Sequence, residues 1–241
     1  MVLLLGIAFL WGFAKVMSSD RWPVLAPARR LWAEWTPRAK AFVYSAPGTF
    51  IYLFVLVITT WVLQTSSNST ANVLLLERST NLYQLTQNPV KVLVTSAFWV
   101  PGPVDLLVFV FLFTIFAARV ERWLGTARTA IIFFAGHVGA TLIVALWLWG
   151  SLSFTVVKSS LTTAQDVGAS YGLAALVGVL TYAIARRLRW FYVGVLFSLA
   201  SLVIKIQPDF TSWGHLVALG IGFGSYFLIS DDHRHSAVVK T

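Results

Sequence analysis

Residues 166–176 read DVGASYGLAAL and open an apolar run that continues to about residue 185. Ser170 stands between two glycines, Gly168 and Gly172. Small residues four apart let two membrane helices approach closely. A serine beside an imidazole is instead a nucleophile. The choice depends on whether the run lies in a membrane and on which other polar groups reach its depth.

The composition places the run in a membrane. Of 241 residues, 58% are hydrophobic and 11% charged, and the mean hydropathy is +0.77. Soluble domains carry about 25% charged residues. There is no cysteine, which excludes disulfides, thiolate ligands and a thiol nucleophile. No phosphate-binding loop, dinucleotide motif or nucleic-acid signature occurs, and no cofactor or metal is called for. His233 and His235, in the terminal DDHRH, are too few for a metal site and read as a solvated tail.

A helix needs about 20 mostly apolar residues to cross a bilayer. Six windows qualify, at roughly 46–64, 103–120, 129–149, 167–185, 190–206 and 212–230. The apolar stretch 2–17 is short for a span. Residues 20–41 alternate basic residues with Trp22, Trp32 and Trp35, which suits an anionic membrane surface. The expected organisation is an N-terminal segment 1–44, a transmembrane domain 45–230 and a tail 231–241.

Charge orients the spans. With the N-terminus inside, the inner face holds Lys15, Arg21, Arg29, Arg30, Arg38 and Lys40, then Arg119, Arg122 and Arg128. It also holds Arg186, Arg187 and Arg189, then Arg234 and Lys240. Only Arg78, Lys91, Lys158 and Lys205 remain outside. This bias follows the positive-inside rule and puts both termini in the cytoplasm of a cell-membrane protein. The outer loop 65–102 carries apolar residues throughout and is expected to lie partly in the leaflet. Its Asn68-Ser69-Thr70 is a formal glycosylation acceptor that reads as a chance match.

In this arrangement the fourth and sixth spans both run from outside to inside. Ser170 and His215 then each lie about one turn in, roughly 5–6 Å. Gly168 and Gly172 flank the first; Gly220 and Gly224, with Gly214 and Gly222, accompany the second. Either residue alone reads as packing or interfacial. Together, at matched depth, they read as a catalytic dyad. His137 in the third span reads as a packing histidine, and Glu121 with Arg122 as a cytoplasmic structural contact.

GASYG (168–172), GHLVALGIGFG (214–224) and ARVERWLG (118–125) resemble the rhomboid intramembrane serine proteases. The likeness covers about residues 45–230 in order and topology. It implies an all-α, six-span bundle with a long, semi-embedded first outer loop. It also implies Ser170 as nucleophile, His215 as base, and transmembrane protein substrates cut near the outer face. The chain departs from the family pattern at several positions. Tyr171 replaces a glycine, and Ala174 replaces a tyrosine that packs on the histidine. Ala218 stands where glycine is favoured, and Asp105 and Phe109 stand where His and Asn hold the oxyanion. A carboxylate only accepts hydrogen bonds and Phe makes none. Two further readings stand beside the protease: a silent rhomboid-like binder of membrane-protein clients, and a small transporter or channel, which would need a polar path through the bilayer.

Overall fold

The computed structural model describes residues 11–19, 21, 23–154 and 169–229. Gly168, Trp22, Lys158 and the tail with His233 and His235 lie outside the described residues, as does most of the apolar stretch 2–17. The chain divides into two compact units, Met1–Pro47 and Gly48–Thr241.

The first unit holds helix α1, Ala26–Tyr44, which has no buried residue. Its tryptophans carry cations: Arg38 lies 5.4 Å from the Trp35 ring, and Lys15 lies 4.4 Å from that of Trp11. Phe13 meets Trp32 edge-on at 5.5 Å. The Arg29 guanidinium donates to the Ser19 carbonyl.

The second unit is helical, with no strand among the described residues. Its helices are α2 (Pro47–Thr65), α3 (Asn68–Arg78), α4 (Leu82–Gln87), α5 (Pro89–Thr95), α6 (Pro103–Leu124), α7 (Thr126–Phe154), α8 (Ser170–Val179), α9 (Arg186–Ile206) and α10 (Phe210–Gly224). Four are long and apolar enough to cross a membrane: α2, α6, α7 to Gly150, and α9. The expected fourth and sixth spans correspond to shorter helices. α8 continues as a 3-10 turn, Leu180–Ala183, and α10 as another, Ser225–Leu228. The loop read from charge as the outer one, residues 65–102, is three short helices, of which α5 and the turn after it are apolar.

α7, α8 and α10 form the centre, each packed on the other two. Glycine sets their spacing. A Cβ on Gly222 would collide with the Ala175 carbonyl, and one on Gly178 would stand 2.6 Å from the Leu219 carbonyl oxygen. Tyr171 meets Gly214 at one end of this interface, while Gly178 meets Gly222 at the other, so α8 and α10 run parallel. α7 runs antiparallel to them: its Ala140 packs beside Tyr171, and its Gly136 faces Ala175.

Of the glycines paired four apart in the sequence, Gly172, Gly220 and Gly224 do not make this contact. Gly220 and Gly224 face open space, and Gly172 faces the Phe133 ring of α7. Adjacent α-helical residues are about 100° apart, so Gly222 projects almost opposite Gly220 and Gly224.

Buried Glu121, near the end of α6, ties that helix to the starts of α2 and α7. Its Oε1 accepts from Gly48 N (2.8 Å) and Thr126 Oγ1 (2.6 Å). Its Oε2 accepts from Thr49 N and Thr49 Oγ1, each at 2.7 Å. A helix start leaves N–H groups outside its ladder, and this carboxylate satisfies two of them in α2. At the same end Arg189 donates to the carbonyls of Thr181 (3.0 Å) and Tyr182 (3.3 Å), closing the end of the α8 run.

Candidate functional site

Ser170 is the first residue of α8 and is half-buried. The helical ladder begins beyond it, with Leu173 N–H donating to the Ala169 carbonyl at 2.9 Å. The N–H groups of the first turn therefore precede the ladder and face the helix N-terminus, where the helix dipole favours negative charge.

His215 lies in the second turn of α10, half-buried. Asp209 starts that helix, its Oδ1 accepting from Ser212 N at 2.8 Å. Parallel packing puts the first turn of α8 level with Gly214 and His215. Across the interface His215 meets Tyr171, ring edge against ring face, at 5.1 Å and 73°. No hydrogen bond joins Ser170 to His215 among the described residues.

Tyr171 is a departure from the family pattern with a structural use. In the sequence it stands where the family has a glycine. In the fold it is buried and lies against Gly214, where a Cβ would overlap its ring. Its ring also packs against His215, next to which position 174 carries only an alanine methyl. Position 171 therefore provides the aromatic support expected from position 174. Periodicity gives no hint of this, because the contact depends on the missing side chain at Gly214.

A ring stack extends from this site into the bundle. His137 on α7 lies 6.4 Å from Tyr171, and Phe133 lies parallel to His137 at 6.4 Å and 7°. His137 Nε2 is 3.0 Å from Ser96 Oγ, in the turn after α5. Both residues are buried, so the apolar part of the outer loop is anchored in the bundle by a polar bond. The sequence reading of His137 as a packing residue did not include Ser96. With Ser96 Oγ–H donating, Nε2 accepts and the ring proton sits on Nδ1. Nδ1 is buried and has no hydrogen-bond partner among the described residues.

This bond makes a testable prediction. Ser96→Ala leaves both imidazole nitrogens without a hydrogen bond in a dry interior, and is expected to destabilise the fold by about 1–3 kcal/mol. The double variant Ser96→Ala, His137→Phe removes both polar groups and keeps a ring over Phe133, so it should recover most of that loss. Denaturation in detergent micelles measures both.

Asp105 is exposed in the first turn of α6, and Phe109 packs edge-on against Phe113 at 6.1 Å. Neither supplies an oxyanion donor. No group of three His, Cys, Asp or Glu side chains able to hold a metal occurs among the described residues.

A family model described as rhomboid-like protein matches residues 41–235, the outer loop and all the helices that build this site. No curated protein and no solved structure matches the chain.

Proposed function

Because the chain belongs to the rhomboid-like protein family, we propose that it is an intramembrane serine protease acting through Ser170 and His215. The observation that carries this reading is the seating of Tyr171 on Gly214 and His215, which sets the first turn of α8 beside the imidazole. In this reading six helices cross a cell membrane, both termini are cytoplasmic, and Ser170 opens toward the outer face.

Ser170 Oγ attacks the carbonyl carbon of a peptide bond in another membrane protein, and His215 takes its proton. The oxyanion forms at the N-terminus of α8, where backbone N–H groups take the place of the side-chain pair that Asp105 and Phe109 lack. Collapse breaks the C–N bond, and His215 gives the proton to the leaving amine. Water then attacks the acyl-enzyme by the same route, releasing the acid and restoring Ser170. Tyr171 is a positioning residue that fixes the plane of the imidazole.

A silent binder of membrane-protein clients is the second reading. It is favoured by the lack of a Ser170–His215 hydrogen bond among the described residues and by Phe109. A fluorophosphonate probe separates the two. The protease reading expects covalent labelling of the wild type and none of Ser170→Ala. A folded wild type that takes no label and cuts no transmembrane substrate in liposomes selects the binder.

A further inference from the structure

A cavity of about 160 Å³ lies toward the end of the bundle where Glu121 joins α2, α6 and α7. Its deep wall is apolar, built by Phe113, Ala117, Phe133 and Leu176, all buried. Part of α6 borders it in an unusual form. Phe113–Ala117 is a π-helical turn, wider than the α-helix on either side, and its first and last residues line the space. Such turns are rare and recur at functional sites.

The cavity is not sealed. Ala130 of α7 lines it and is exposed, and half-buried Tyr52 of α2 lies on the opposing helix. Exposed residues of the same two helices are apolar: Ile51 is 65% exposed, Phe54 64% and Ile131 53%. These residues belong to two helices long and apolar enough to cross a membrane, so the mouth faces hydrocarbon.

Its polar end makes no demand for a charged ligand. Each oxygen of Glu121 already accepts two hydrogen bonds. No lysine or arginine among the described residues lines the space. An apolar cavity of about 150 Å³ stays dry and takes up benzene-sized guests.

We propose that this cavity is a binding site for one acyl chain of a bilayer phospholipid, which enters sideways between α2 and α7 past Ala130. The chain's terminal carbons fill the space beside the π-turn, and the headgroup stays outside. The site therefore selects for the chain and not for headgroup charge. It is independent of Ser170 and His215, and a protein with no protease activity would have it equally.

The test is lipid retention by the full chain. The protein is reconstituted with dioleoylphosphatidylglycerol or dioleoylphosphatidylcholine, washed in detergent and weighed by native mass spectrometry. The wild type is expected to keep one lipid of either kind. Ala130→Phe, which fills the mouth from an exposed position, should lower retention at least tenfold with unchanged helical circular dichroism. Leu199→Phe, on the exposed surface of α9, should retain lipid as the wild type does. If Ala130→Phe does not fold, Ala130→Leu makes the same test with a smaller side chain. Equal retention by wild type and the filled variant overturns the proposal. So does a wild type that retains no lipid, or one that retains only the anionic lipid.

Discussion

His215→Ala is expected to lower cleavage of a transmembrane substrate by about 10⁴-fold or more while leaving the fold intact. Loss of the base in a serine–histidine system costs this much because the hydroxyl keeps its proton as it attacks. The fold should survive because His215 is half-buried and, among the described residues, makes no side-chain hydrogen bond that ties two helices, unlike His137. The contact it loses is one ring edge against Tyr171. Initial rates in liposomes, with circular dichroism of the same preparation, make the measurement. A drop of less than tenfold would remove His215 from the chemistry and leave its ring as packing for Tyr171.

Gly222→Val is expected to destabilise the bundle by about 3 kcal/mol or more, whereas Gly220→Ala leaves stability nearly unchanged. Overpacking usually costs about 1–3 kcal/mol, since side chains can move aside. At Gly222 the obstacle is the backbone of Ala175, which cannot rotate away. The helices must separate, and the contact that seats Tyr171 near His215 goes with them. Gly220 is exposed with nothing within 4 Å of an added methyl among the described residues, so the substitution displaces no neighbour. Thermal unfolding of the two variants in one detergent decides this. Similar behaviour of both would show that α8 and α10 do not meet through Gly222.

Much of the architecture could be read one residue at a time. Each apolar run must satisfy its own backbone hydrogen bonds in hydrocarbon, and four of the six expected windows coincide with α2, α6, α7 and α9. Depth along a helix is also a local count. Counting from the start of each span placed Ser170 and His215 at one level, and the parallel packing of α8 on α10 supports that level. Within residues 65–102, α5 and the turn after it form one short apolar helix. Glu121 is structural, as expected, but the partners its hydrogen bonds show are Gly48, Thr49 and Thr126.

Rotation about each helix axis is different. A soluble helix marks its inner face by a stripe of apolar residues. In a membrane helix lipid and core are equally apolar, so the sequence carries no such stripe. The pattern Gly220-x-x-x-Gly224 therefore reads as an interface, yet the face that meets α8 belongs to Gly214 and Gly222. The same ambiguity hid Ser96 as the partner of His137, the ring of Tyr171 on His215, and the cavity beside Phe113. The sequence by itself determined that this is a helical membrane protein, with a serine and a histidine at one depth, because hydropathy and rise per residue are properties of single helices. Tertiary structure alone decided which faces meet, because that depends on shapes fitting across an interface between segments far apart in the chain.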